Sequence, residues 1–430
     1  MVEKEEIYRR ALEIHRKYEG KIETVPKIPF RGLDDFTYLY SPGVARACEV
    51  IEEDPEEAYE LTWKSNSIAI VTDGSRTLGL GDIGSLASLP VMEGKALIFK
   101  LFGGVDAIPL PINEHDADRF MEIVERISPS FGGINLEDIE SPKCFYILEG
   151  LKKRLDIPVW HDDQQGTATA TLAALFGALD VVGKKLEEVR IAIIGVGAAN
   201  TATIRLLLES GVPGDNIVAV DSRGIIYRGR DDLTPDSYKT WIANSTNSGG
   251  VRGGIRDAMK GADVVIAASM PGPGVIEKEW IGLMNDSPII FAEANPVPEI
   301  LPEDAMEAGA RIVGTGRSDY PNQVNNSLVF PGIFRGVLTV RAREITDEMA
   351  IEAAKALYEH AKPKLNESYI IPRMDELEIH EKVAFRVAEK AVESGIARKE
   401  LNRKEIRKEI DSVLEKTWKK VRMISDVLSS

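Results

Sequence analysis

Apolar residues change their spacing repeatedly along this chain, and the changes outline its elements. Ile7, Ala11, Ile14 and Tyr18 recur at helical spacing over residues 5–19, and Gly20 ends that helix. Residues 67–72 are an apolar run of strand length, 86–102 read as helix and 107–112 as extended chain. An amphipathic helix follows over 116–127, then a strand over 133–138 that ends on acids. A helix over 143–155 and a strand over 157–160 complete this part. Strands alternating with helices in this way predict a parallel sheet covered by helices.

From Arg190 the alternation repeats more cleanly. Residues 191–194 read as strand, 198–210 as helix and 216–220 as strand, with Asp221 at its end. Further strands are expected at 263–268, 288–292 and 311–315, while 223–254, rich in Gly, Ser, Asn and Asp, reads as a surface excursion around one helix. After Phe330 no strand pattern remains; residues 346–361, 376–394 and 403–428 read as helices, the last laced with Glu and Lys. The expected fold class is α/β. A substrate domain over 1–160 precedes a Rossmann-type, doubly wound dinucleotide domain over 161–330, and helices over 331–430 pack back on the first domain or a partner.

Composition narrows the function. With 53 basic against 69 acidic residues the net charge is −16, which argues against the basic face a nucleic acid needs. No apolar run of about 18 residues is evident, and the acidic start is unlike a signal peptide, so a cytoplasmic protein with no membrane span is expected. The cysteines Cys48 and Cys144 lie in helical patterns without other metal-binding neighbours and read as buried thiols.

Three constellations carry chemistry. The turn Gly195-Val196-Gly197-Ala198-Ala199-Asn200 follows a strand and opens a helix, as a pyrophosphate site requires. Asn200 stands where the pattern has its third glycine, but Asp221 lies at the distance where an acid holds the adenosine ribose. Asp221 favours NAD; Ser222 and Arg223 beside it could accommodate the 2′-phosphate of NADP. Second, Glu137-Asp138 and Asp162-Asp163 both end strands. Such acids serve as solvated surface groups or helix caps, or converge as a hard-cation site for Mg²⁺ or Mn²⁺. Third, Tyr40 precedes a Pro-Gly turn and Lys95 lies in the largely apolar stretch 91–99, where burial would lower its pKa towards that of a general base.

Several stretches occur in an order that resembles the malic enzymes in their compact prokaryotic form, without the phosphotransacetylase-like domain of longer members. These are residues 40–45, 71–82, 94–96, 135–138, 161–167, 291–296 and 325–332. The resemblance implies oxidative decarboxylation of malate to pyruvate, with Lys95 as general base, Tyr40 as general acid and Asp162 supporting the site. It implies Glu137, Asp138 and Asp163 as metal ligands and Arg76 as the clamp on a malate carboxylate. Asn295 and Asn326 would lie near substrate and nicotinamide, and Asn325 would line the same pocket. The expected partners are a small-molecule substrate and a second copy of the chain, as a homodimer or a dimer of dimers. A dehydrogenase of another hydroxy-diacid, an amino-acid dehydrogenase and a non-catalytic NAD sensor remain the competing readings.

Overall fold

The computed structural model describes residues 2–429, and the chain builds two parallel sheets joined by one buried helix. The first sheet has the strands Ser67–Thr72 (β1), Asp106–Pro111 (β2), Ile134–Leu136 (β3) and Val159–His161 (β4), in the order β2-β1-β3-β4. Every residue of β1 is buried, which is why it reads as a continuous apolar run rather than an alternating one.

The second sheet has the strands Ile191–Ile194 (β5), Ile217–Asp221 (β6), Gly224–Ile225 (β7), Val264–Ala267 (β8), Ile289–Ala292 (β9) and Ile312–Thr315 (β10). Their order is β10-β9-β8-β5-β6-β7, parallel except for β7. Strand order reverses at β5, which lies between β6 and β8. That reversal opens a crevice at the carboxyl ends of the strands, the usual ligand position in such sheets. The fold is therefore the expected α/β arrangement with a Rossmann-like second sheet.

Helix Thr167–Val182 connects the sheets and is buried along most of its length. With the turn before it, the segment Asp162–Val182 is long and apolar enough by composition to cross a membrane, contrary to the expectation that no such run exists. Its burial within the protein accounts for that apolarity.

A helix that the periodicity misses spans Phe330–Val340. All eleven of its residues are buried, the polar Arg335 and Thr339 included. It wedges against helix Gly84–Gly103, where Phe99 meets Phe330 at 4.5 Å and Phe334 at 5.3 Å between ring centroids. A Cβ on Gly103 would lie 2.6 Å from the carbonyl oxygen of Pro331, so the backbones approach only because that position is glycine. The buried Arg335 of this helix donates to Asn66 Oδ1 at 2.6 Å. Helix Arg403–Ser429 is tied to the same place through Trp418 Nε1, which donates to the Leu101 carbonyl at 2.9 Å. Helix Asp347–Ala361 packs on the connecting helix, with Tyr358 donating to Asp180 Oδ2 at 2.9 Å.

Two further expectations are corrected. The stretch 223–254 carries the one helix expected in it, Tyr238–Ser245, but is more than a surface excursion, since it also adds β7 and buries Ile225, Ile226, Ile242 and Ala243. Its many polar residues bond to its own backbone, as Asn247 does to Ile226 and Val251. Of the two thiols, only Cys144 is buried; Cys48 is exposed on helix Val44–Glu53, which buries none of its residues.

Candidate active site

Strand β4 runs directly into a π-helical turn, Asp162–Gly166, that bends the chain towards the connecting helix. The turn holds Asp162 fully buried, and the indole Nε1 of Trp160 donates to its Oδ1 at 3.1 Å. A Cβ on Gly166 would stand 2.0 Å from that same Oδ1, so glycine allows the tight turn. The other carboxylate oxygen, Oδ2, lies 2.5 Å from Lys95 Nζ.

Lys95 projects from helix Gly84–Gly103 and is 9% exposed. Its ammonium also lies 2.9 Å from Glu137 Oε1 and 4.3 Å from the centroid of the Phe330 ring. The burial predicted from its apolar neighbours is present, but the predicted lowering of its pKa is not. Burial does work against the charge, yet Asp162, Glu137 and Asp163 outweigh it and hold the ammonium above its ordinary pKa.

Glu137 and Asp138 follow β3, and Asp163 belongs to the turn after the neighbouring strand β4. Parallel pairing of β3 and β4 therefore brings their carboxylates together, with ligand oxygens within 4.8 Å of one another. The Asp138 N–H donates to Asp163 Oδ2 at 2.8 Å, and Asp138 adopts φ +52°. Its Oδ2 is buried without a hydrogen-bond partner. Burial first, then the adjacent Asp163, pushes the Asp138 carboxyl up to about 7, and burial raises Glu137 well above its ordinary range. An unpartnered buried oxygen among three crowded carboxylates is a donor set that fits a hard divalent cation.

Residues to which the sequence assigned no role complete this cluster. Asn135 Nδ2 donates to Glu137 Oε2 at 2.9 Å and orients it. His161 is fully buried, neither ring nitrogen makes a hydrogen bond although Nδ1 lies 3.8 Å from Asp163 Oδ2, and burial pushes its pKa down to about 4, so the ring is neutral. Asn135 stands two positions before Glu137 and His161 two before Asp163, within stretches that the sequence had already singled out.

The substrate candidates are placed unevenly. Arg76 is exposed beside the acids; its backbone N–H donates to the Asp138 carbonyl at 3.0 Å. Asn326 packs against Gly166, 3.1 Å from where a Cβ there would lie. Asn325 uses its Oδ1 to accept from the Ser327 N–H at 2.9 Å. Asn295 is exposed on the loop after β9, where its neighbour Pro296 approaches Gly79 of the glycine-rich loop. Tyr40 is not brought in: it is 70% exposed, and its hydroxyl has no hydrogen-bond partner among the described residues. It belongs to a stretch whose large apolar residues, Phe30, Leu33, Phe36, Tyr38 and Leu39, are likewise exposed.

The nucleotide turn sits at the switch point of the second sheet. Gly195 adopts φ +84°, and a Cβ there would lie 2.6 Å from the Ala268 carbonyl oxygen. Gly197 faces open space, so a pyrophosphate can reach the backbone before Ala198 and Ala199 start helix Ala198–Glu209. Asn200 explains its departure from the glycine pattern: its Nδ2 donates to the carbonyls of Ile194 at 3.1 Å and Gly195 at 2.9 Å, fastening the turn. Asp221 is bound by its own neighbours, with Arg230 at 2.6 Å and 2.9 Å and Lys239 at 2.6 Å.

Two family models match the chain. Residues 164–392 match the family described as "Malic enzyme, NAD binding domain", and residues 19–116 and 112–152 match "Malic enzyme, N-terminal domain". The NAD-dependent malic enzyme of Geobacillus stearothermophilus is 50% identical over 89% of this chain and 78% of its own length. The bifunctional malic/malolactic enzyme of Bacillus subtilis is 48% identical over 90% of this chain and 94% of its own. The crystal structure of the Pyrococcus horikoshii malic enzyme superposes with a TM-score of 0.92 at 49% identity, covering 98% of each chain. Two sheets, a buried Lys–Asp pair beside three carboxylates and a glycine turn at the switch point thus belong to a chain that is a member of the malic enzyme family.

Proposed function

We propose that this protein oxidises and decarboxylates malate to pyruvate and carbon dioxide while reducing NAD or NADP. The observation that carries the reading is the contact of Lys95 with Asp162 and Glu137, directly beside Asp138 and Asp163. Glu137, Asp138 and Asp163 would hold Mg²⁺ or Mn²⁺, which supplies Lewis acidity where negative charge develops on the substrate.

Lys95 is the base that takes the malate hydroxyl proton as hydride leaves for the nicotinamide. A cation on Glu137 and Asp163 would offset two of the three carboxylates that raise the Lys95 pKa and so move it in the direction a base requires, while Asp162 would stay against the ammonium. Asp162, itself held by Trp160, fixes the ammonium in place. Arg76 offers a planar fork to a substrate carboxylate, and Asn295, Asn325 and Asn326 would line the same pocket.

Tyr40 is the acid that protonates the carbon left by carbon dioxide. Because it lies exposed within an apolar stretch of its own chain, we assign it to the site of a second copy in a homodimer or dimer of dimers. Covering that stretch in a dimer would bury Phe30, Leu33, Phe36 and Leu39 together with it.

The test is nicotinamide reduction and carbon dioxide release from malate with Mg²⁺, with Mn²⁺ and with EDTA. Turnover that depends on metal and malate is expected. Unchanged turnover in EDTA would remove the metal from the scheme, and no turnover on malate would refute the activity.

A further inference from the structure

We infer that Lys143 is a positioning residue for the substrate carboxylate, acting through Asp73 and Ser75 on the loop that presents Arg76. The inference rests on the malate chemistry proposed above and adds to it a group that sets the affinity for malate.

Lys143 stands at an unfavourable place for a cation. It opens helix Lys143–Arg154, whose N-terminus is the positive end of the helix dipole, and its side chain is only 14% exposed. Asp73, 1% exposed, holds it there: its Oδ2 accepts from Lys143 Nζ at 2.5 Å. Burial works against the Lys143 charge, but Asp73 and Glu140 overcome it and hold the ammonium above its ordinary pKa. The other oxygen of Asp73, Oδ1, accepts from the Ser75 N–H at 3.0 Å and from the Ser75 hydroxyl at 2.6 Å. Ser75 Oγ in turn accepts from the Glu140 N–H at 3.0 Å, and Glu140 Oε1 lies 3.4 Å from Lys143 Nζ. Lys143, Asp73, Ser75 and Glu140 thus close a ring.

The ring ties together two segments whose relative position decides how substrate is held. One continues from β1 and carries Arg76; the other continues from β3 and carries Glu137 and Asp138. Beside the ring the same segments meet again, where the Leu78 N–H donates to Asp138 Oδ1 at 3.4 Å. Of residues 71–77 only Arg76 is exposed, so the loop around it is anchored while the guanidinium stays open to substrate. A bidentate guanidinium–carboxylate contact tolerates little displacement. Breaking the ring therefore weakens malate binding, and not binding of the nucleotide, whose turn belongs to the other sheet.

Lys143→Met removes the charge and keeps the length. Malate binding with Mn²⁺ and without nicotinamide, read by calorimetry, is expected to weaken by about tenfold, the value of one charge-assisted hydrogen bond. The KM for malate should rise by a similar factor with the KM for NAD unchanged, and Lys143→Arg should restore most of the loss. Ser75→Ala cuts the ring while leaving its buried charges paired, and should weaken malate binding in the same direction. A double-mutant cycle separates positioning from general support of the fold. In an Arg76→Ala background Lys143→Met should add no further loss, because the clamp it positions is already gone. Wild-type malate affinity in both Lys143→Met and Ser75→Ala, or a full additional loss in the Arg76→Ala background, overturns the inference. Malate turnover with those affinities unchanged leaves the activity standing without the inference. Malate binding that depends on Lys143, without any turnover, does the reverse. A wild type that binds no malate refutes both.

Discussion

Trp160 donates its indole N–H to Asp162 Oδ1 at 3.1 Å, leaving Oδ2 of the same carboxylate to face Lys95 at 2.5 Å. A rigid aromatic donor thus aims a carboxylate that in turn aims a lysine 67 positions earlier in the chain. Trp160→Phe keeps the ring and removes the donor. Turnover is expected to fall by about tenfold, the value of one buried hydrogen bond to a charged group, with the KM for NAD unchanged. Steady-state kinetics would show it, and a full-rate variant would mean that Lys95 alone orients the pair.

Lys95→Ala should lower kcat by about 10²–10⁴-fold, the range of a positioned general base. Cofactor affinity, read by NADH fluorescence titration, should persist because Lys95 lies against the carboxylates and not the glycine turn.

If Tyr40 serves the site of a second copy, two inactive variants can rescue each other. Tyr40→Phe and Lys95→Ala, mixed and allowed to exchange subunits, should regain about a quarter of wild-type activity, since heterodimers hold one intact site of two. Failure of rescue between variants that demonstrably exchange subunits would place Tyr40 outside the reaction or within its own subunit's site.

Glu293, buried at the end of β9, keeps its carboxyl up at about 8 because burial outweighs the hydrogen bond from the Thr171 hydroxyl. Folding therefore favours its protonated form. The linked stabilisation is complete below its ordinary value of 4.5 and is lost as pH rises through about 8. Glu293→Gln cannot ionise, so its melting temperature should exceed the wild type's at about pH 9 and match it near pH 5. Parallel melting curves at both pH values would contradict this.

Asn200→Ala removes the two bonds that fasten the nucleotide turn. A loss of about 1–3 kcal/mol is expected, since the Ile194 and Gly195 carbonyls are left without that donor. Urea unfolding measures the cost, and NAD affinity should weaken alongside it.

Much of this protein was legible in local pattern. Strand β5 was readable to the residue, and the helix and strand after it nearly so, because a buried parallel sheet imposes short apolar runs between turn residues. The acids at the ends of β3 and β4 were visible as pairs, and the glycine turn as a turn. Helix Phe330–Val340 was not legible, because a proline and two glycines among its eleven residues disfavour helix locally and tertiary packing overrides them.

What the sequence could not decide depended on charges and neighbours far away in the chain. Burial of Lys95 followed from its own apolar helix. The sign of its pKa shift did not, because three carboxylates from other strands and turns outweigh desolvation. Asp221 looked like a free ribose acceptor until Arg230 and Lys239 folded onto it. The exposed position of Tyr40 is likewise a property of the folded chain. Residue types and spacing marked the paired acids, the lysine and the glycine turn as candidates, and the resemblance to a family gave them roles. Only the tertiary structure decided their charge states and partners, because electrostatic energies depend on distance and burial, and neither is written in local order.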